Sequence, residues 1–476
     1  MPTTPSRVII VGGGPGGYEA GLVAAQLGAE VTLVDSDGVG GSAVLTDCVP
    51  SKTLIATAEL MTEVEGAGEL GVEALADRSE SRSRVRVDLA RVNARVKQLA
   101  QDQSADIGQR LEKEGVRVLR GRGHLDGPDT VVVETDGSDA GRGAGSRTSQ
   151  RLHADAVLLA TGAAPRTMPA ARPDGERILT WEQVYDLTEV PTELVVVGSG
   201  VTGAEFASAY LALGAEVTLV SSRDRVLPGE DADAAVVLEE VLVRRGMHDL
   251  EQSRMATVTR DGDLVTVTLT DGRTIVGSHC ILAVGSVPKT HELGLETAGV
   301  DLDERGFVVV DRVSRTSARG VYAAGDCTGV LMLASVAAMQ GRIAMWHFLG
   351  DAVAPLDLKK VSSNVFTAPE IATVGWSQQA VDRGDIEAHQ VLLPLAGNAR
   401  AKMQGVRDGF VKLFCRPGTG IVVGGVVVGP RASELIHPVS VAVAESLTAD
   451  QLAHAFTVYP SMSGSVAEAA RRLHHV

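Results

Sequence analysis

The glycines of Gly12-Gly13-Gly14-Pro15-Gly16-Gly17 stand where backbone chemistry with a phosphate is possible. The Gly-x-Gly-x-x-Gly spacing of Gly12, Gly14 and Gly17 lets the chain turn tightly and approach a pyrophosphate, which then lies at the positive end of the helix that follows. The surroundings fit: RVIIV precedes as a strand, YEAGLVAAQLGA follows as a helix, and EVTLVD ends in Asp35, where a ribose hydroxyl needs a carboxylate. The pattern recurs at Gly198, Gly200 and Gly203 within LVVVGSGVTGAEFASAYLALGAEVTLV, so the nucleotide-binding unit is an internal repeat and the chain has room for two dinucleotides. The second strand ends differently, in Ser221 followed by Ser222, Arg223, Asp224 and Arg225. With no carboxylate there and guanidiniums nearby, the site admits a 2′-phosphate, so NADP is accepted beside NAD; the other reading makes the arginines solvated surface charge.

Composition bounds the rest. A chain of 476 residues exceeds one core and predicts two to four domains. A net charge of -16 repels phosphate backbones and anionic headgroups, which excludes nucleic acid as a partner. No apolar run reaches the length of a bilayer, and the start MPTTPSR carries no leader pattern, so neither membrane insertion nor export is expected. Cys48, Cys280, Cys327 and Cys415 are scattered without a CxxC pair, which argues against a disulfide framework or a metal site and for a reducing, cytoplasmic setting.

The elements that must hold these residues follow in order. Leu54 to about Gly115 reads as helical scaffold, VRVLRG and TVVVET as strands, and Gly137 to Gln150 as a mobile Gly/Ser-rich loop. ADAVLLATG is a buried strand ending in Thr161 and Gly162, ILAVGSVP a strand containing Gly285, and GVYAAGDCTG a strand delivering Asp326 ahead of the helix LASVAAMQGRIA. An aspartate in that place is either a ligand residue or a helix cap.

One stretch carries a resemblance. GGSAVLTDCVPSK, Gly40 to Lys52, resembles the redox segment of flavoprotein disulfide reductases, class I pyridine nucleotide-disulfide oxidoreductases similar to dihydrolipoamide dehydrogenase. That family carries two cysteines five apart; here the first position is Ala43 and Cys48 alone remains. The family's C-terminal His-x-His-Pro-Thr-x-x-Glu, whose second histidine serves as base across the dimer interface, is replaced by Thr457-Val458-Tyr459-Pro460-Ser461-Met462-Ser463-Gly464. A tyrosine with a pKa near 10 does not act as a thiol base near neutrality. Ala43, Thr457, Tyr459 and Gly464 therefore agree that the electron path beyond the flavin is gone, and the chain is most similar to the single-cysteine NAD(P)H:quinone reductase branch.

The resemblance implies an α/β fold: two Rossmann-like, three-layer β/β/α domains for FAD and NAD(P), and an α+β dimerisation domain that makes a homodimer. The expected bounds are 1–164 with 287–352 for the FAD domain, 165–286 for the NAD(P) domain and 353–476 for the interface domain. It implies that Gly41, Ser42, Lys52, Gly123, Thr161, Gly162, Asp326 and Ala334 line FAD and that Gly285 lies near the nicotinamide nucleotide. Lys52 and Glu205 match the ion pair beside the reactive flavin nitrogen, Tyr459 stands in the base position, and Cys48 is either a thiol under the flavin or a packing residue. The expected function is FAD-dependent NAD(P)H:quinone reduction. The alternatives are a soluble pyridine-nucleotide transhydrogenase, a dihydrolipoamide dehydrogenase-like protein, and a flavoprotein binding subunit with incidental diaphorase activity.

Overall fold

A computed structural model describes residues 5–72, 85–135 and 148–474, which gather into two compact units. The first comprises Met1–Ser51, Ala94–Arg166 and Ser286–Asp357. At its centre lies a five-stranded parallel sheet in the order Val321–Ala323, Ala156–Leu159, Arg7–Val11, Glu30–Asp35, Arg117–Arg120. A sheet covered on both faces wants continuous β-branched runs. RVIIV supplies them: Val8 and Ile10 join one core with Leu33 and Leu158, while Ile9 and Val11 join another with Val34 and Val157. The helices Pro15–Gln26 and Ala334–Leu349 contribute Ala20, Ala344 and Met345 to the first core. They touch nearly backbone to backbone, since a Cβ on Gly341 would lie 2.0 Å from the Gly16 carbonyl oxygen. The antiparallel strands Arg122–Leu125, Thr130–Thr135 and Thr148–His153 form the third layer.

The second unit comprises Lys52–Asn93, Thr167–Gly285 and Leu358–Val476. It repeats the plan with a parallel sheet ordered His248–Leu250, Glu216–Val220, Glu193–Val197, His279–Leu282, Ile178–Thr180, and with the antiparallel strands Met255–Asp261, Leu264–Leu269 and Thr274–Gly277. A further antiparallel sheet runs Ser362–Val365, Glu370–Gly375, Val422–Gly429, Phe410–Cys415, His389–Pro394. All eight residues of VVGGVVVG are buried in it, under the helices His437–Ala444 and Gly464–Leu473.

The units group the chain differently from the three-part expectation. Residues 165–286 and 353–476 fall largely in one unit, and Lys52–Asn93 joins them instead of the first fingerprint. At the ends of that segment Lys52 pairs with Glu205, and the Asn93 side chain donates to the Leu187 carbonyl at 2.7 Å. A buried ion pair also binds the second unit together. Lys412, on Phe410–Cys415, is 2 % exposed and reaches Asp231, the N-cap of helix Ala232–Arg244, at 2.8 and 2.9 Å, with Asp233 at 2.6 Å. Of the loop expected at Gly137 to Gln150, residues 137–147 lie outside the described residues, and the last three belong to the strand Thr148–His153.

Candidate active site

In the first unit, the strand Arg7–Val11 delivers Gly12 with φ +106°, and a Cβ there would meet the Ala160 carbonyl oxygen at 2.2 Å. Gly17 opens the helix just as tightly, with its hypothetical Cβ 1.9 Å from the Gly12 carbonyl oxygen. Gly14 caps the helix and accepts no side-chain cap, so the first-turn N–H groups face a cradle made of bare backbone. Gly41 closes that cradle from the neighbouring segment: a Cβ on it would lie 2.7 Å from Gly14 Cα. Asp35 is locked at its strand end, one oxygen accepting the Gly13 N–H at 2.6 Å and the other those of Asp37 and Gly38 at 2.8 and 2.7 Å.

The other residues expected around FAD, Lys52 apart, fall in the same unit. The Thr161 hydroxyl donates to the Lys289 carbonyl at 2.8 Å, and Gly162 follows at φ +72°. Asp326 starts a short turn beyond Val321–Ala323, and burial, followed by the Asp47 carboxylate, pushes its carboxyl up to about 6. Gln340 holds that turn, accepting the Gly325 N–H at 2.9 Å. Ala334 opens the helix Ala334–Leu349, and the Ser42 carbonyl accepts the N–H groups of Thr46 and Asp47 at 3.0 and 2.8 Å. Gly123 is packed against the sheet, with Val11 and Val34 side-chain carbons 3.2 to 3.4 Å from the place of a Cβ.

Cys48, half-buried, begins the helix Cys48–Gly66. The remaining thiols are core residues. Burial pushes Cys280 up to about 12 and Cys327 up to about 11, and it raises Cys415 as well. None of the three is poised as a thiolate.

In the second unit, Lys52 Nζ lies 2.9 Å from Glu205 Oε2, with the carboxylate side chain 6 % exposed and the lysine 31 %. Glu205 Oε1 accepts the Phe366 N–H at 2.9 Å, and the Lys52 ammonium stands 4.8 Å from the Phe366 ring centroid. Two residues on, the Ala368 N–H donates to Ser208 Oγ at 3.1 Å. The pair is therefore held by Phe366 through both its N–H and its ring, and Phe366 is a participant that motif reading does not single out.

The second fingerprint copies the first. Gly198 has φ +111° with its Cβ position 2.2 Å from the Ala283 carbonyl oxygen, Gly203 would touch the Gly198 oxygen at 1.8 Å, and Gly200 caps the helix Val201–Ala212 with no side-chain partner. Gly285 lies at φ +94° beside open space. At the strand end Ser221 is 0 % exposed, with its hydroxyl 2.7 Å from that of Ser199. Ser222 and Arg223 are exposed. Tyr459 stands out in solvent at 86 % exposure, next to fully exposed Phe456, and is not gathered with Lys52 and Glu205 within the chain. Among the described residues, one carboxylate group, Glu239, Asp249 and Glu251, brings its oxygens within 4.8 Å of one another.

The family model for pyridine nucleotide-disulphide oxidoreductases matches residues 6–341, and the model for the dimerisation domain of the same family matches 361–470. The chain belongs to the pyridine nucleotide-disulphide oxidoreductase family. Within that family it is 54% identical over 475 residues to a protein of Mycobacterium tuberculosis named NAD(P)H dehydrogenase (quinone), covering 98% of this chain and 94% of that one. The dihydrolipoyl dehydrogenase of Zymomonas mobilis is 32% identical, with 97% and 96% covered. The crystal structure of LpdA from Mycobacterium tuberculosis superposes with a TM-score of 0.91 over 98% of this chain and 99% of that one, at 54% identity. RclA of Escherichia coli shares the fold, with a TM-score of 0.84 at 23% identity.

The expected fold class therefore holds, and so does the resemblance read from Gly40 to Lys52. As a family member the protein is an oxidoreductase that uses FAD and a nicotinamide nucleotide, and the two bare-backbone cradles at Gly12–Gly17 and Gly198–Gly203 fit those groups. The matched dimerisation domain supports a homodimer. Among the described residues no helix is long and apolar enough to cross a membrane.

Proposed function

We propose that the protein is an FAD-dependent NAD(P)H:quinone reductase acting as a homodimer in the cytoplasm. The observation that carries this is the thiol inventory: Ala43 stands where a disulfide reductase has the first of its two redox cysteines, and the cysteines other than Cys48 are buried core residues. Thiol–disulfide exchange needs a second thiol to resolve the mixed disulfide. The 54% identity to a protein named NAD(P)H dehydrogenase (quinone) supports the same reading.

FAD, when bound, supplies the two-electron relay between nicotinamide and quinone. The chain's residues hold and tune the two nucleotides. In our assignment the segments 1–164 and 287–352 hold FAD: Gly12, Gly14 and Gly17 receive its pyrophosphate, Asp35 its adenosine ribose, and Thr161, Gly162, Asp326, Ala334, Gly41, Ser42 and Gly123 line its remaining length. Residues 165–286 hold the nicotinamide nucleotide through Gly198, Gly200 and Gly203, with Gly285 at the nicotinamide end and Ser222 and Arg223 at the adenosine end. Glu205, which also accepts the Phe366 N–H, holds the Lys52 ammonium in one place, and that cation sets the electrostatics of the redox site. Cys48 contributes its polarizable sulfur but no exchange chemistry. Tyr459, exposed in one chain, meets the partner's site across the interface formed by 353–476 and offers an aromatic wall in place of a base.

The test is a steady-state screen of quinones and disulfides with NADPH and NADH on the purified holoenzyme. Turnover of quinones alone is expected; turnover of neither leaves the protein a binding subunit and ends the proposal.

A further inference from the structure

The two fingerprints are copies, which makes each a control for the other. In the first, Gly13 and Asp35 are 22 residues apart and joined by a 2.6 Å hydrogen bond from the Gly13 N–H to Asp35 Oδ2. The carboxylate fills the space that a side chain at position 13 would need, since a Cβ there would lie 3.0 Å from Oδ2 and 3.2 Å from Asp35 Cβ and Cγ. In the second, the residues at the same 22-residue separation are Ser199 and Ser221, and their hydroxyl oxygens meet at 2.7 Å. Both are buried, at 5 % and 0 % exposure. One further tie is alike in both: Ser221 Oγ accepts the Arg223 N–H at 3.0 Å as Asp35 Oδ1 accepts that of Asp37 at 2.8 Å. The second strand end is therefore built like the first, but its acceptor is neutral and its carboxylate slot is occupied by the Ser199 side chain.

We infer that Ser199, acting through Ser221, is a specificity-determining residue for the nicotinamide nucleotide. It fills the slot in which a carboxylate would read the 2′-hydroxyl and repel a 2′-phosphate, and so leaves the exposed Ser222 and Arg223 to receive a 2′-phosphorylated ribose. Ser199 is a positioning residue, because it touches Ser221 and lies 3.4 Å from the Arg225 carbonyl oxygen, and it is itself sealed from the ribose. The inference rests on reading Gly198–Gly203 as the nicotinamide-nucleotide cradle. A consequence distinguishes it from the simpler view that the strand-end residue decides alone: a carboxylate placed at 221 is crowded by Ser199 and is relieved when Ser199 is reduced to glycine.

The experiment measures binding of 2′,5′-ADP and of 5′-ADP to the holoenzyme by calorimetry, without any electron acceptor, so a failure of quinone reduction does not bear on it. Wild type is expected to prefer 2′,5′-ADP. Ser221→Asp is expected to weaken both ligands with no reversal, because the carboxylate is crowded by Ser199. Ser199→Gly/Ser221→Asp is expected to reverse the preference, with a change of about tenfold or more in the ratio of affinities. Ser199→Gly/Ser221→Asn, equal in size but uncharged, is expected to show no reversal. Full reversal by Ser221→Asp alone, no reversal in the folded, FAD-loaded double variant, or a wild-type preference for 5′-ADP would each overturn the inference. Should the double variant fail to fold, Arg223→Ala decides: selective loss of 2′,5′-ADP binding supports it, and equal loss of both ligands overturns it.

Discussion

Glu205 holds Lys52 with one carboxylate oxygen, at 2.9 Å, and the Phe366 N–H with the other, also at 2.9 Å. The carboxylate is almost wholly out of water while the ammonium keeps partial exposure, so the pair is asymmetric: removing the lysine strands a buried charge, and removing the glutamate leaves a cation that water can reach.

Lys52→Met is therefore expected to cost more stability than Glu205→Gln. Losing one member of a buried pair costs roughly 3–5 kcal/mol, with this half-open pair near the lower end. The double variant should recover much of that loss, and thermal melting of the four proteins closes the cycle. A redox role adds a second readout, because a flavin potential that falls in Lys52→Met and is restored in Lys52→Arg reports the cation and not the packing.

Lys412 offers the purely structural counterpart. At 2 % exposure, with Asp231 and Asp233 around its ammonium, it sits far into the interface-domain sheet. Lys412→Met should destabilise the second unit by roughly 3–5 kcal/mol, whereas Lys412→Met/Asp231→Asn/Asp233→Asn should be milder, because no unpaired charge remains. Denaturant unfolding distinguishes them; equal losses would mean that the ion pair contributes no more than its volume.

A pH effect follows from Asp249. Burial, then the neighbouring Glu239 and Glu251, pushes its carboxyl up to about 6 from 3.8. The folded state holds this proton more tightly than the unfolded chain, so the contribution to stability is present below about 3.8 and is lost as pH rises through about 6. Asp249→Asn should raise the melting temperature clearly at about pH 8 and little below about pH 4. Asp174 and Glu468, both lowered to about 2, act in the opposite sense and only in stronger acid. A constant difference between variant and wild type across the range would remove Asp249 as the cause.

The fold was legible because its signals are local and repeated. RVIIV before Gly12 and LVVV before Gly198 are strand runs feeding glycines whose Cβ positions are blocked by backbone, and both folded as read. Contacts distant in sequence were not legible. Nothing in the neighbourhood of Phe366 announces that its N–H would find Glu205, 161 residues earlier. The contact between Ser221 and Ser199, 22 residues apart, was not legible for the same reason. The difference between Gly13 and Ser199 was visible in the aligned repeats and gains meaning only once the Asp35 carboxylate is seen occupying the space beside Gly13.

The first cradle makes a prediction about the flavin itself. Gly12–Gly17 and Asp35 form a site for an adenosine pyrophosphate, so flavin released from the protein should chromatograph as FAD and FMN should fail to reconstitute it. Gly17→Ala, whose methyl group would fall 1.9 Å from the Gly12 oxygen, should purify with little flavin. A stoichiometric FMN content would contradict the assignment.

The central claim is that the thiol route has been lost while the quinone route remains, and one comparison addresses it directly: kcat/KM of the unaltered holoenzyme for a para-quinone and for a lipoamide-type disulfide, with NADPH and with NADH. The account predicts quinone turnover with either nucleotide and no disulfide reduction above the blank, with Cys48→Ser leaving the quinone rate largely intact. Disulfide reduction at a rate comparable with the quinone rate, abolished by Cys48→Ser, would contradict it.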